Sequence, residues 1–380
     1  MVLPGALTNV SIRLIGARPP PRGPRAGTRP GPRVELPHRA ARPTSVRAMR
    51  AIQIAELTGP DTALRFVEIP EPEPSHPLSP PGEEAVVVEV HAAGVSFPEL
   101  LQTRGQYQFR PPLPFVPGSE VGGTVHSAPA GSGLEPGDRV AAFTALGAFA
   151  ETAVAPAFFT FKLPDALDFA QGAGLVLNYH TAYFALRTRG RLTEGETVLV
   201  HGAAGGVGTA ALQVARGLGA RTIAVVSSDA KERVAREAGA DEVVRSDGPW
   251  KDEVKALVGG GVDLVIDPVG GDRFTDSLRS LRERGRVVVV GFTGGSIPEV
   301  RVNRLLLGNT EVIGAGWGAY AMPKPAFNRE VGAAIDRLIE RGYVKPLIGA
   351  RFAFEDAASA LKCIDAREAT GKVVLDVREG

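Results

Sequence analysis

The chain has 380 residues, 44% hydrophobic and 22% charged, the composition of an ordinary soluble protein with room for two domains, each with its own core. Its formal net charge of +1 conceals a split, because residues 1–48 carry nine Arg against the single acid Glu35 and the remaining body is acidic, which excludes a nucleic-acid surface. One cysteine, Cys363, excludes an intramolecular disulfide and any multi-cysteine metal site, and no run of about 18 apolar residues exists to span a membrane.

Residues 1–48 contain nine prolines and no sustained apolar period. Such a segment buries too little surface to offset its ordering entropy, so a disordered Arg/Pro-rich extension is expected. It lacks the apolar core of a secretory signal and the amphipathic, Ser-rich character of a transit peptide. Met49 opens a clean strand pattern and reads as the natural start, and the body as a cytoplasmic protein. From Met49 to about Leu175 short strands (Ala85–Val90, Val121–His126, Arg139–Phe143) alternate with Pro/Gly turns. That texture predicts a small β-rich, barrel-like domain, with short helices starting near Phe97 and Phe169.

Between residues 176 and 314 the rhythm changes to strands alternating with helices. The apolar strand Thr197–His201 runs into a glycine cluster (Gly202, Gly205, Gly206, Gly208), an alanine-rich helix follows at once, and a second strand covers Thr222–Val226. Glycines there let a pyrophosphate approach the backbone, and the N–H groups and dipole of the new helix hold its charge. Ala204, Gly205, Gly206 and Val207 are therefore the expected cofactor contacts. Ala203 stands where the usual fingerprint has its first glycine. Helices at Ala230–Ala238, Lys251–Val258 and Arg273–Arg282 and strands at Glu242–Val244, Val262–Asp267, Arg286–Val290 and Thr310–Ile313 complete a doubly wound parallel sheet. The tail reads as helix Arg329–Glu340, a strand near Leu347–Phe352, helix Glu355–Ala366 and strand Lys372–Val377, returning to the first domain.

With Ala93-Gly94-Val95-Ser96-Phe97, Pro112 to Glu120, Gly137-Asp138-Arg139-Val140, His201 to Gly208, Asp267 to Gly271 and Gly371-Lys372-Val373-Val374, the chain resembles the zinc-independent NADPH:quinone oxidoreductases of the medium-chain dehydrogenase/reductase superfamily. The resemblance implies an α/β protein with a GroES-like β-rich catalytic domain (49–175 and 315–380), a Rossmann NADP-binding domain (176–314), an active cleft between them, and a homodimer. Zinc relatives carry Gly-His-Glu where this chain has Gly118-Ser119-Glu120, and no cysteine is near, so the ligands that zinc needs are missing.

An NAD-specific site places an acid at the tip of the second strand. Here the tip reads Ser227, Ser228, Asp229, Ala230, Lys231, and hydroxyls followed by Lys231 suit a 2′-phosphate. Ser228 or Asp229 also suits a helix N-cap. NADPH is the expected cofactor. The resemblance adds Tyr179, Thr181, Gly291, Phe292, Trp317 and Lys372 as cofactor contacts, although Phe292 and Trp317 equally fit packing roles. It points to Ser96 and Tyr107 as the polar groups facing a substrate; Ser96 alternatively caps the following helix and Tyr107 alternatively forms a rim. The expected reaction is metal-free hydride transfer from NADPH to a small quinone or activated enone. The alternatives are an enoyl-thioester reductase of the same superfamily and a cofactor-binding protein with little catalysis.

Overall fold

Two sheets organise residues 47–378, the part of the chain that the computed structural model describes. The extension read over 1–48 lies outside the described residues except for Arg47 and Ala48. Strand β1 (Ala48–Ile54) forms an antiparallel pair with β2 (Leu64–Pro70). The valine-rich β3 (Val86–Val95) is longer than its sequence pattern suggests. Its second half, Ala92-Ala93-Gly94, has almost no side chain, and the neighbouring backbone closes over it. A Cβ on Gly94 would lie 2.2 Å from the Ala173 carbonyl and 2.8 Å from the Lys372 side chain, so only glycine fits there. Ser96 is the N-cap of α1 (Phe97–Thr103), with Pro98 in the first turn. Strands β4 (Glu120–Ser127), β5 (Arg139–Phe143), β6 (Thr152–Ala155) and β7 (Thr160–Lys162) follow, all buried on at least part of their length.

A helical connection leads to the second sheet: α2 (Phe169–Gly172), a π-helical turn at Val176–His180, α3 (Thr181–Tyr183) and a second π-helical segment at Phe184–Arg189. The alternating units are β8 (Thr197–His201), α4 (Gly206–Gly217), β9 (Arg221–Val226), α5 (Asp229–Glu237), β10 (Glu242–Arg245), α6 (Trp250–Val258), β11 (Val262–Asp267), α7 (Phe274–Arg279), β12 (Leu281–Val289), α8 (Asn303–Gly308) and β13 (Glu311–Gly314). All six strands are parallel in the order β10-β9-β8-β11-β12-β13. The order reverses between β8 and β11, which opens a crevice at the carboxyl end of β8 where the glycine turn begins. The helix expected to reach Arg282 ends at Arg279. Leu281 is drawn into the ladder opposite Val262, and the Ser280 hydroxyl and carbonyl satisfy the junction.

The tail comprises α9 (Trp317–Ala321), α10 (Pro325–Glu340), β14 (Ile348–Ala353), α11 (Ala357–Asp365) and β15 (Lys372–Asp376). Helix α10 starts four residues before the expected Arg329, because Pro325 at its first position needs no N–H partner. Strand β15 inserts between β14 and β3 and completes a seven-stranded sheet, β14-β15-β3-β4-β5-β7, with β6 on β3. The largest apolar core is shared between the sheets: Phe143 and Phe159 from the first pack edge-on against Trp317 of α9, in one cluster with Val198 and Leu212.

Candidate active site

The glycine turn is shaped by what its backbone must avoid. Gly202 takes a φ of +56° directly after β8, and the Gly205 N–H closes the turn onto the Gly202 carbonyl at 3.0 Å. A Cβ on Gly208 would sit 2.1 Å from that same carbonyl, so any side chain would push α4 off the turn. At Gly205 the situation is the reverse. A Cβ there would meet only the Gly202 oxygen at 3.5 Å, leaving open space in front of the helix. The Val207 N–H donates to no acceptor among the described residues, while the Gly206 N–H faces the Gly371 carbonyl across a parallel bridge. A free donor, the N-terminus of a twelve-residue helix and open space together fit a dinucleotide pyrophosphate. The Ala204 carbonyl points elsewhere, accepting the Gly371 N–H at 2.6 Å, so the turn is tied to the start of β15 in the other sheet. A cavity of about 280 Å³ bounded by Val234, Glu237, Leu347, Thr370 and Gly371 lies beside this junction.

At the tip of β9, Ser228 is the N-cap of α5 and accepts the Lys231 N–H. The Lys231 ammonium reaches back to Ser227 Oγ at 3.3 Å and to the Arg367 carbonyl at 2.8 Å. Two arginines that sequence reasoning passed over join them. Arg245, at the end of the adjacent parallel strand β10, donates to the Ser227 carbonyl at 3.0 Å and pairs with Asp229 at 2.5 Å. Arg367 takes a left-handed φ of +59°, which presents its carbonyl to Lys231. The parallel neighbourhood of β10 and β9 was the available signal for Arg245. Arg367 is 140 positions away from Ser227 and gave none. Asp229 is thus neutralised by Arg245 rather than presented alone to a ribose.

The third group is a buried polar cluster built from α1, β4 and β15. Lys372, Glu120 and Glu99 expose 3%, 0% and 0% of their surfaces. The Lys372 ammonium pairs with one oxygen of Glu120, whose other oxygen accepts the Leu177 N–H at 2.9 Å. The ammonium also donates to Ser96 Oγ at 2.7 Å. Glu99 accepts the Ser119 hydroxyl and, at 2.9 Å, the Ser96 N–H. Burial pushes both carboxyls above the ordinary range; Lys372 opposes this at Glu120, and the Ser119 hydroxyl opposes it at Glu99. Burial, reinforced by the charge of Glu99, raises the Tyr107 phenol, which therefore stays protonated and able to donate.

The remaining expected residues divide. Gly291 and Phe292 follow β12; Phe292 is 38% exposed, and a Cβ on Gly270 would come within 3.0 Å of its ring. Thr181 keeps 8% of its surface exposed. Tyr179 is 1% exposed, with its hydroxyl donated to Gln213 of α4 at 2.8 Å; it braces the helix from behind instead of facing the crevice. Trp317 is 3% exposed and packs in the shared core. Lys372 was expected to touch cofactor, but its ammonium is committed to Glu120 and Ser96, and the preceding residue, Gly371, is the one that meets the glycine turn.

The model of the "Alcohol dehydrogenase GroES-like domain" matches residues 82–165, and that of the "Zinc-binding dehydrogenase" matches 206–333. Quinone oxidoreductase-like protein 2 of Bos taurus is 39% identical over 337 residues, covering 87% of this chain and 93% of that protein. A probable oxidoreductase from Mycobacterium abscessus superposes with a TM-score of 0.78 at 41% identity, over 87% of this chain and all of that one. The quinone oxidoreductase of Thermus thermophilus, solved alone and with NADPH, gives a TM-score of 0.74 at 33% identity over the same shares. The chain belongs to the zinc-independent quinone oxidoreductases of the medium-chain dehydrogenase/reductase superfamily. Within a superfamily whose domain model is named for zinc, this quinone oxidoreductase family member has Ser119 bonded to Glu99 where a metal-binding histidine would stand. A lysine ammonium already occupies the face of Glu120. Among the described residues no three His, Cys, Asp or Glu side chains converge as a metal site requires.

Proposed function

We propose that the protein is an NADPH-dependent reductase that delivers hydride to a quinone, or to the β-carbon of an activated enone, without a metal. The observation that carries this reading is the glycine turn with its free Val207 N–H and the open space before Gly205, set in a chain 33–41% identical to oxidoreductases that include a quinone oxidoreductase solved with NADPH. Ala204, Gly205, Gly206 and Val207 would hold the pyrophosphate; Ser227, Lys231 and Arg245 would hold a 2′-phosphate by charge-assisted hydrogen bonds. Gly291, Phe292 and Thr181 would flank the nicotinamide, with Tyr179 and Trp317 supporting from the core. The cofactor, when bound, supplies hydride; the protein orients the acceptor and stabilises the charge that develops on its oxygen. Ser96 and Tyr107 are the donors proposed for that oxygen.

The experiment is a steady-state panel of quinones, enals and crotonyl thioesters with NADPH and NADH. Turnover of quinones or enals with NADPH preferred supports the reading. Tight NADPH binding with no acceptor reduced would contradict it.

We propose further that the protein is a cytoplasmic homodimer. Among the described residues β13 is an edge strand of its sheet, and beside it in sequence Ile297, Val302, Leu306 and Leu307 are 72–80% exposed. An apolar surface next to a bare strand edge suits a second copy related by a twofold axis. Light scattering on L306E/L307E should give a monomer; an unchanged mass would count against this surface.

A further inference from the structure

Ser96 Oγ accepts a hydrogen bond from the Lys372 ammonium at 2.7 Å, and no side chain or carbonyl among the described residues accepts its own proton. A lysine ammonium only donates, so the direction of this bond is fixed by chemistry. The ammonium is held from behind by Glu120, itself anchored by the Leu177 N–H, and Lys372 and Glu120 are both buried deeper than Ser96. The Ser96 backbone is pinned as well, because its N–H donates to Glu99. Ser96 is half-buried and is the most exposed of the three linked side chains. We infer that Lys372 is a positioning residue that polarises the Ser96 hydroxyl, making Ser96 the principal hydrogen-bond donor to the acceptor's developing oxyanion.

The effect on Ser96 is electrostatic. A hydroxyl that accepts from a cation gives its own proton up to a hydrogen bond more strongly, and in a site shielded from water that effect is weakly screened. The Lys372–Glu120 pair is a fixed dipole with its positive end on Ser96, present before substrate arrives, so no reorganisation is needed as charge develops. It supplies at Ser96 a cationic polarisation from a side chain. Gly94 and Gly174 make the arrangement possible: a Cβ on either would come within 3.1 Å of the Lys372 stem.

The inference rests on the reductase reading above, and one kinetic set separates the two. NADPH oxidation by a quinone is measured for the wild type, S96A, S96T, E120Q/K372M and the triple variant S96A/E120Q/K372M, with NADPH affinity followed by cofactor fluorescence. The paired change removes both charges, so that no lone buried ion remains. S96A is expected to lower kcat about 10²-fold with unchanged NADPH affinity. S96T, which keeps the hydroxyl, should recover most of the loss. E120Q/K372M should lose kcat comparably, and the triple variant should be no slower than the slower parent, because both changes remove one donor. Multiplying losses, or an S96A enzyme with wild-type kcat, would overturn the inference while leaving the reductase reading intact. If the paired variant does not fold, the S96A and S96T contrast decides alone, equal losses counting against it. A wild type that oxidises no NADPH with any acceptor would overturn the reductase reading and the inference with it.

Discussion

The glycine turn and the Lys372 cluster are joined through the consecutive residues Gly371 and Lys372 and work by opposite means. In the turn every relevant group is backbone: side chains have been removed so that the start of α4 lies open, and Gly208 is kept bare by a carbonyl 2.1 Å from its would-be Cβ. In the cluster the backbone is closed off and side chains do the work: two carboxyls and one ammonium are almost wholly buried, Lys372 paired with Glu120 and Glu99 held by Ser119 and Ser96. The turn is local: four consecutive residues, 202–205, between a strand and a helix. The cluster joins residues up to 276 positions apart. A phosphate cradle needs only a short, bare loop, whereas a buried charge needs partners from every element that surrounds it.

That contrast predicts different failures. The largest is expected at Lys372. Lys372→Met alone leaves Glu120 charged and unpaired in the interior and should cost about 3–5 kcal/mol in urea unfolding. The paired E120Q/K372M variant should recover most of it, and equal losses in both would show that the pair matters only for packing. In the turn, Gly208→Ala should cost about 1–3 kcal/mol by overpacking and abolish detectable NADPH binding. A variant that binds normally would mean that the turn yields more easily than its contacts suggest.

Acid stability sharpens the comparison further, through histidines that neither region uses. Burial lowers His180 to about 3 and His201 to about 4. The unfolded chain then binds protons below about pH 6.5 that the folded chain refuses. Stability should accordingly fall as pH drops from 6.5 towards 4, by up to about 1.4 kcal/mol per unit for each histidine. His180→Gln should flatten that limb, as urea midpoints across the range would reveal. An unchanged slope would assign the acid limb to carboxylates instead. The smallest effect is expected at the strand tip, where Lys231→Ala should weaken NADPH about 10-fold and NADH hardly at all, since Arg245 remains beside Ser227. Equal weakening of both would refute a 2′-phosphate contact.

What could be read without coordinates follows the same division. The parallel sheet, its helices and the phosphate turn were legible, because strand periodicity, glycine spacing and Val runs are encoded over a few residues each. The return of the tail to the first sheet was legible too, and β15 sits between β14 and β3. The end of α7 was misread because Leu281, which suits a helix, is claimed by pairing with Val262 across the sheet. Tyr179 illustrates the limit at the site. The segment could be located near the crevice, but the direction of its ring depends on a π-helical turn and on Gln213 of another helix. Glu99 and Arg367 went unnoticed because isolated charged residues carry no local pattern, whereas the pairing of β10 with β9 was the signal that could have found Arg245.

The most direct test of the account is the oxidation of NADPH by 1,4-benzoquinone before and after exhaustive dialysis against a metal chelator. The account predicts turnover that is unchanged by chelation and slower when NADH replaces NADPH. Absence of NADPH oxidation, or activity lost on chelation and restored by zinc, would contradict it.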